Sequence, residues 1–222
     1  MFEQCLKPQL LPILDMLVAS KTLADNGFYL AGGTALALQF GHRISEDLDF
    51  FTLKIFNPQI IIDRLQPENK LQIINIDDKT LNTLINSQKV SFFNYPYKTI
   101  HDLLNYRGCP VANYYDIAAM KIIAIAQRGS KKDFIDFNTL LENGCTFTRI
   151  IEFLKDKYPH IEYNLPHLIR SIGYFEDAEN DAMPIMNRGN SFSILTQPEW
   201  GKIKEGIINL QKTEFSGSAF QP

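Results

Sequence analysis

Asp47 and Asp49 are the residues whose type and spacing point most directly to chemistry in this sequence. They stand at the start of the segment DLDFFTL, whose alternation is typical of a β-strand. On a strand both side chains point to the same side, with the carboxylates about 7 Å or less apart. Carboxylates that close repel each other unless one is protonated or a cation lies between them. Because Mg²⁺ prefers such oxygen ligands, the pair indicates a divalent-metal site, with a solvated strand end as the alternative.

A glycine pair and a threonine, Gly32-Gly33-Thr34, lie upstream of the aspartates, after the apolar segment FYLA. The pattern predicts a short buried strand that ends in glycines, followed by a helix over TALALQF. Glycines allow backbone N–H groups to approach a phosphate, and the Thr34 hydroxyl and the helix N-terminus add donors. The order of these elements predicts a phosphate cradle beside a metal pair. A simple glycine turn is the alternative.

Lys121 and Arg128 are seven residues apart in a predicted helix and therefore lie about 20° apart around its axis. The same face carries apolar residues, so Lys121 lies in or beside an apolar stripe. A lysine in that position either extends to the surface or faces a polar site that needs a cation, such as phosphate oxygens. On the next predicted helix, Lys132 and Asp136 have the spacing of a local ion pair.

Other candidate groups are weaker. The histidines are scattered without metal-ligand spacing, the serines lack a GxSxG setting, and no cysteine has a predicted base nearby. The acidic run EDAEND at 176–181 favours a solvated loop over a metal site. One set of aromatic residues favours a core cluster over a base-stacking surface: Phe92, Phe93, Tyr95 and Tyr97.

Length and composition indicate an ordinary globular protein. The chain has 222 residues, of which 45% are hydrophobic and 21% charged, and its net charge is −3. This length suits one large domain or two small ones. The acidic balance excludes a broad basic surface for nucleic acid, so any such contact would come from a local patch.

The cysteines and the N-terminal segment predict a cytoplasmic protein. The three cysteines are odd in number, far apart and without a CxxC pair, which argues against a disulfide framework and a zinc site. The first residues lack the pattern of a signal peptide. The apolar run from Leu10 to Val18 is far shorter than the roughly 20 residues of a membrane span, so no membrane contact is expected.

Periodicity predicts an α+β protein with a sheet in its N-terminal part. LQIINI and KVSFFNY read as further strands, separated by the connection DDKTLNTLINSQ, and Pro58 to Leu65 reads as a short helix. From about residue 113 the sequence becomes helical. Capping signals mark the predicted helix starts at Asn113 with Asp116, at Asn164, and at Thr196 with Glu199.

Two ordered blocks resemble a known family. LAGGTALALQFGHRISEDLDFF resembles the GG(S/T)…DxD signature of the nucleotidyltransferase superfamily, and specifically the AbiEii/AbiGii toxin family with its HR.S.DLDFF-like segment. DIAAMKIIAIAQRGSKKDFIDFNTLL is similar to the second block of that family, D…K…A…R…KD..D...L. IGYFEDAENDAMP also resembles the C-terminal part of one branch. The resemblance covers roughly residues 25 to 210.

The resemblance implies a minimal nucleotidyltransferase-type core in residues 1–105 and a helical C-terminal domain in residues 106–222 that completes the active-site cleft. It implies transfer of a nucleoside monophosphate from an NTP to an acceptor, with two Mg²⁺ ions as cofactors. It also implies a toxin with a cognate antitoxin as partner, and an RNA acceptor such as tRNA or a protein acceptor.

The resemblance carries site roles to matching residues of this chain. It implies that Asp47 and Asp49 hold the metal ions and that Lys121 meets the phosphates, so these three are the expected catalytic residues. The residues expected to bind the nucleotide are Gly32, Gly33, Thr34, Arg43, Lys121, Arg128 and Asp136.

One departure from the pattern leaves alternatives open. Many nucleotidyltransferases place a third carboxylate on a later strand, but the corresponding positions in KVSFFNYPY are Ser91 and Phe92. Either two carboxylates suffice, or Asp77 or Asp78 takes part, or catalysis has been lost. The rival functions are therefore an inactive nucleotide- or antitoxin-binding protein and a kinase-like phosphoryl donor.

Overall fold

The computed structural model describes residues 1–216, without the side chains of Glu68, Phe215 and Ser216. The chain forms two compact units. The first comprises Met1–Ile117 and the second begins at Ala118, so the division falls within helix α5 (Tyr114–Gln127).

The first unit is built on a mixed sheet of seven strands. In chain order these are β1 (Tyr29–Leu30), β2 (Leu48–Thr52), β3 (Leu71–Asp77), β4 (Thr80–Ile85), β5 (Gln88–Asn94), β6 (Leu104–Tyr106) and β7 (Cys109–Val111). They lie side by side in the order β3-β4-β5-β2-β1-β7-β6. Strand β2 is central, antiparallel to β1 and parallel to β5.

Four α-helices belong wholly to the first unit: α1 (Leu10–Ala19), α2 (Thr22–Asn26), α3 (Gly32–Phe40) and α4 (Pro58–Leu65), and two 3-10 helices cover Glu3–Cys5 and Gln66–Glu68. Helix α4 has the predicted bounds because Asn57 caps it, accepting a hydrogen bond from the Gln59 N–H at 2.9 Å, and Pro58 fits the first turn. Helix α3 ends at Gly41, whose φ of 64° is a left-handed conformation that favours glycine.

The two faces of the sheet differ at β2 and β5. One face belongs to the core, because its side chains are fully buried: Leu48, Phe50, Val90 and Phe92. The opposite face of β2 carries Asp49 and Phe51, which are half-buried. The alternation in DLDFFTL therefore predicted both the strand and the face on which its acid lies.

Two parts of the sheet differ from the sequence prediction. The predicted connection between the strands of KVSFFNY and LQIINI contains β4, whose alternate residues are buried and which pairs with both β3 and β5. The hairpin of β6 and β7 was not predicted. Its turn places Arg107 and Gly108 at positive φ, and its two strands extend the sheet beyond the boundary predicted after residue 105.

The second unit is helical, as predicted. After α5 come α6 (Lys131–Glu142), α7 (Phe147–Lys157), α8 (Leu165–Ser171), α9 (Glu176–Glu179) and α10 (Gln197–Ser216), with a small hairpin of β8 (Ile185–Asn187) and β9 (Phe192–Ile194). Asn164 caps α8 by accepting from the His167 N–H at 3.0 Å. Glu199 accepts from the Thr196 N–H and hydroxyl, each at 2.8 Å, at the start of α10.

At the start of α5, Asn113 Oδ1 accepts from the Tyr115 N–H at 3.3 Å, and Asp116, predicted as the N3 partner of Asn113, has a further role. Asp116 is fully buried, and its carboxylate accepts hydrogen bonds from the N–H groups of Ile100 and His101, at 2.9 and 3.4 Å for the shorter contact to each. It therefore anchors the segment before β6 in the first unit, a long-range contact that the capping pattern does not reveal.

The aromatic core of the second unit lies around Trp200, which is fully buried. The Phe175 ring packs edge-on against Trp200 at 5.8 Å between centroids, and Phe134 lies 4.6 Å from Phe175. In the part of the chain that the structure describes, no helix is long and apolar enough to cross a membrane.

Candidate active site

The acid pair lies at the start of the central strand of the first unit. Asp47 directly precedes β2 and Asp49 belongs to it, and both are half-buried. Leu48 between them is fully buried in the core, which turns the two acids toward the opposite face. The backbone is held on the β1 side because the Ala31 N–H donates to the Asp49 carbonyl at 3.0 Å.

The glycine pair brings the start of α3 next to Asp49. Gly32 has a φ of 66°, and a Cβ atom built there would lie 3.5 Å from Asp49 Oδ2. A side chain would therefore be strained by the backbone conformation and would also face the carboxylate. The first turn of α3 has backbone N–H groups without helical acceptors, a common setting for anion binding.

Thr34 connects α3 to the segment that carries the acids. Its side chain is 3% exposed. The Thr34 hydroxyl donates to the Asp47 carbonyl and lies 2.6 Å from Ser45 Oγ. It holds the backbone of Asp47 against the start of α3, whereas the phosphate contact expected for Thr34 stays a prediction.

Arg43 lies in the segment between α3 and β2. Its side chain is buried, and Nη1 donates to the Ile44 carbonyl at 3.0 Å. This contact ties the arginine to its own loop, and its predicted role in nucleotide binding stays a prediction.

Ser91 occupies the position at which the resemblance to nucleotidyltransferases predicts a third acid. The parallel pairing of β2 and β5 sets Asp49 beside Ser91 and Leu48 beside Val90. Ser91 is 1% exposed, and its Oγ has no hydrogen-bond partner among the described residues. Across residues 1–216, no group of three or more His, Cys, Asp or Glu side chains could hold a metal ion.

The other acids considered as replacements lie elsewhere in the sheet. Asp77 ends β3, which is separated from β2 by β4 and β5. Its carboxylate accepts from the Lys79 N–H at 2.8 Å, which stabilises the turn before β4, and Asp78 is exposed in that turn. These contacts are those of a turn between β3 and β4.

The donor set at Asp47 and Asp49 suits a magnesium ion. It consists of two carboxylates, a buried hydroxyl and backbone N–H groups for an anion, and it contains no soft ligand. Mg²⁺ is commonly bound by one or two carboxylates together with substrate phosphates and water. The chemistry of these residues therefore fits the metal that the family resemblance implies.

Aromatic rings continue the acid-bearing face beyond Asp49. Phe51 stacks on Phe93 at 5.1 Å and on Tyr29 at 6.2 Å between centroids, and Tyr95 packs edge-on against Phe51 at 5.4 Å. Phe92 is in the core, as the sequence favoured, whereas Phe93 and Tyr95 are half-buried on this other face.

Tyr29 lies on the same face of the sheet as Phe51, a position that the sequence did not reveal. Its hydroxyl is buried without a hydrogen-bond partner among the described residues. Burial raises the pKa of Tyr29 well above its ordinary value, and the nearby Tyr95 and Asp116 raise it further, so the phenol keeps its proton. Only the strand register places it beside Phe51.

In the second unit, Lys121 forms a buried ionic cluster with two aspartates. The ammonium group lies 2.9 Å from Asp133 Oδ1 and 2.5 Å from Asp136 Oδ2. The side chains are 6%, 1% and 0% exposed, respectively. Lys121 therefore faces a polar site, one of the two alternatives left open, and Asp136 contacts it directly.

Arg128 and Ser130 complete this cluster around Asp133. Arg128 Nε donates to Asp133 Oδ2 at 2.9 Å, and the Ser130 hydroxyl donates to the same oxygen at 2.7 Å. Burial alone would raise the pKa of Asp133, but Lys121, Arg128 and Ser130 together hold it well below its ordinary value. Asp133 was missed, although Ser130-x-x-Asp133 is itself a capping pattern.

Arg128 is the exposed end of the cluster, with 68% of its side chain accessible. It also lines a surface cavity of about 360 Å³ in the second unit, together with His167, Arg170 and Tyr174. The other end of its guanidinium remains tied to Asp133, with Nη2 at 3.2 Å from Oδ1.

Comparison with known proteins identifies the family. The sequence profile of the AbiEii nucleotidyl transferase toxins, a type IV toxin–antitoxin family, matches residues 15–78 and 67–218. The uncharacterized protein aq_aa25 of Aquifex aeolicus is 36% identical over 185 residues, which cover 81% of this chain and 84% of that protein.

Solved structures share the fold. MenT4, a nucleotidyltransferase toxin of Mycobacterium tuberculosis, aligns with a TM-score of 0.59 at 14% identity, over 90% of this chain and 82% of MenT4. JHP933 of Helicobacter pylori aligns with a TM-score of 0.52 at 22% identity, over 98% of this chain and 100% of JHP933. The predicted fold class, a nucleotidyltransferase-type mixed sheet followed by a helical region, is confirmed. The chain belongs to the AbiEii family of nucleotidyl transferase toxins of type IV toxin–antitoxin systems and is a nucleotidyltransferase.

Proposed function

We propose that this enzyme uses Mg²⁺ to transfer a nucleoside monophosphate from an NTP to an acceptor hydroxyl, with release of pyrophosphate. The observation that carries the proposal is the close approach of Gly32, at the start of α3, to the carboxylate of Asp49. The helix start that would bind phosphate therefore lies next to the acid that would bind the metal, an arrangement suited to attack on a metal-bound α-phosphate.

Asp47 and Asp49 would hold the metal, with two ions as the family resemblance implies. When bound, Mg²⁺ polarises the α-phosphate and favours deprotonation of the attacking hydroxyl. The protein fixes both acids through the buried Leu48 between them and through the hydrogen bond from Thr34 to the Asp47 carbonyl. These contacts position the backbone that carries the two acids.

The remaining roles concern the triphosphate. The N–H groups at Gly32 and Gly33 would bind phosphate oxygens, and Thr34 would position the site from within the protein. Lys121 and Arg128 would neutralise the charge that develops on pyrophosphate. Asp133 and Asp136 would hold Lys121 in a fixed place, because both carboxylates contact its ammonium group.

We also propose an acceptor and a regulatory partner. An RNA end such as that of tRNA, or a protein hydroxyl, would serve as acceptor, and a cognate antitoxin would be the regulatory partner. A net charge of −3 gives no broad basic surface, so RNA would bind through local cations such as Arg170.

Labelled nucleotides test the reaction type. The protein is incubated with Mg²⁺, total RNA and cell lysate, and with NTPs labelled at either the α- or the γ-phosphate. We expect macromolecular label from the α position only, with loss of incorporation in Asp49→Asn.

The other outcomes identify the rival functions. Label from the γ position would show a kinase-like phosphoryl donor. Binding of NTP without any incorporation would favour an inactive binding protein, the alternative that Ser91 motivates by standing where a third acid was expected. Ribonuclease or protease treatment of labelled material then distinguishes an RNA acceptor from a protein acceptor.

A further inference from the structure

Ser91 carries a buried hydroxyl that the fold itself does not use. The residue is 1% exposed, and no described residue forms a hydrogen bond with its Oγ. Buried polar side-chain atoms in folded proteins nearly always have a partner, so an orphan in the middle of a sheet needs an explanation such as an ion or ligand.

The strand register places this hydroxyl beside the acid pair. Asp49 and Ser91 are directly paired in the parallel ladder of β2 and β5, so both side chains project from the same face. Adjacent strands lie about 4.8 Å apart, which is the separation at which two side chains can share one ion or one water molecule.

The neighbouring strand offers an internal contrast. Thr83 on β4 is also a fully buried hydroxyl residue, but it pairs with Val90 and therefore points to the other face of the sheet. Its Oγ1 donates to the Val90 carbonyl at 2.9 Å. The buried hydroxyl of Thr83 thus has a hydrogen-bond partner in the sheet, whereas the buried hydroxyl of Ser91 has none among the described residues.

We propose that Ser91 Oγ is the third protein oxygen of the metal site, bound to the ion directly or through one metal-bound water. The inference rests on the proposed function, because it requires the metal at Asp47 and Asp49. Serine and threonine hydroxyls are suitable Mg²⁺ ligands, as in phosphate-binding loops of NTPases. The hydroxyl replaces the third carboxylate that other members of the superfamily place on this strand.

A neutral third ligand has a consequence for how metal binds. Two carboxylates and a hydroxyl give the site a formal charge of −2, compared with −3 for three carboxylates. The protein alone therefore holds the ion more weakly, and the phosphates of an incoming NTP supply the missing negative charge. The site is thereby adapted to take up the metal together with the nucleotide.

Manganese binding to the nucleotide-free protein tests the inference without reference to activity. Free Mn²⁺, a substitute for Mg²⁺, is measured from its electron paramagnetic resonance signal during titration of wild type, Ser91→Ala, Thr83→Val and Asp49→Asn. Removal of an outer contact typically weakens metal binding about 10- to 100-fold. We expect a loss of at least about 10-fold in Ser91→Ala, wild-type affinity in Thr83→Val, and loss of binding in Asp49→Asn.

The two proposals fail in different ways in this experiment. Wild-type affinity in Ser91→Ala, with binding lost in Asp49→Asn, would overturn the role of Ser91 and leave the acid pair as the metal site. Equal binding by wild type and Asp49→Asn, or no binding by either, would overturn the metal site of the proposed function and with it the role of Ser91.

Thermal unfolding without metal gives an independent check. An orphan hydroxyl contributes nothing to the metal-free protein, so Ser91→Ala should melt at or above the wild-type temperature, whereas Thr83→Val should melt lower because it loses a buried hydrogen bond. A fall in the melting temperature of Ser91→Ala as large as that of Thr83→Val would show that Oγ has a protein partner, and would contradict the inference.

Discussion

Each unit of the molecule contains a pair of aspartates, and the two pairs have opposite environments. Asp47 and Asp49 are half-buried at the start of a strand, and Asp47 forms no ion pair with any described residue. Asp133 and Asp136 are buried on a helix and are both bound to Lys121. The second pair has its cation within the protein, and the first is the pair that we propose binds a metal ion from solution. The same residue type thus belongs to a buried ionic cluster in one unit and to the proposed metal site in the other.

Loss of the internal cation should have the largest effect on stability. Lys121→Met keeps the length of the side chain but leaves two carboxylates buried without their ammonium partner. Breaking a buried pair in this way typically costs about 3–5 kcal/mol. Denaturant unfolding should show this loss in Lys121→Met and almost none in Lys202→Met, an exposed lysine of the same unit.

Removing the three buried charges of the Lys121 cluster gives a second test of the contrast between the two aspartate pairs. A triple variant, Lys121→Met with Asp133→Asn and Asp136→Asn, should recover part of the lost stability because the three buried charges are removed together and the remaining charge of Arg128 is exposed to solvent. If Lys121→Met alone is as stable as wild type, the cluster does not support the second unit and the contrast between the two pairs is wrong.

A smaller effect is expected where the first pair is held in place. Thr34→Val keeps the shape of the side chain but removes the hydroxyl that contacts Ser45 and the Asp47 carbonyl. Leaving those two groups buried without a donor or acceptor should cost about 1–3 kcal/mol in denaturant unfolding. Thr80→Val, at the half-buried start of β4, is the matched control and should unfold close to wild type.

Thr34→Val should also weaken metal binding, because the Asp47 backbone would no longer be fixed to α3. Wild-type stability together with wild-type metal affinity would remove the positioning role assigned to Thr34.

The stability that Asp133 contributes should depend on pH, and this is the smallest effect because it is confined to acid. The folded-state pKa of Asp133 lies below its ordinary value of 3.8, so the unfolded chain binds a proton more readily than the folded one. The contribution of Asp133 to the free energy of unfolding is therefore complete above its pKa in the unfolded chain. This contribution is lost as the pH falls below that value toward the pKa of Asp133 in the folded protein.

Measurements of the free energy of unfolding at a series of acidic pH values check the direction of this effect. Wild type should lose stability as the pH falls below about 4, and Asp133→Asn should have a shallower slope there, although it is less stable at neutral pH. Asp63→Asn, an exposed acid, should keep the wild-type slope. An identical slope in Asp133→Asn would show that this carboxyl is not held in its charged form.

The sequence predicted those parts of the molecule that depend on local pattern. The alternation in DLDFFTL predicted β2 and the face on which Asp49 lies, and the glycine pair predicted the start of α3. The connection containing β4 was misjudged because turn residues at both ends outweighed the alternation of Leu81, Thr83 and Ile85.

Contacts between elements could not be predicted in the same way. Whether Lys121 reached the surface or a polar site depended on Asp133 and Asp136, which belong to the next helix. Likewise, the orphan state of Ser91 depends on the register of β2 and β5. A single sequence contains the residue types but not these pairings.

Mg²⁺-dependent pyrophosphate release tests the central claim, that Asp47 and Asp49 carry nucleotidyl transfer, most directly. Wild type is compared with two variants, Asp49→Asn and Asp78→Asn, in the presence of NTP and of total RNA and cell lysate as the source of acceptor. Asp78 is an exposed acid of the same unit. We predict a loss of at least about 100-fold in Asp49→Asn, with normal unfolding, and wild-type release in Asp78→Asn. Wild-type release by Asp49→Asn would contradict the account.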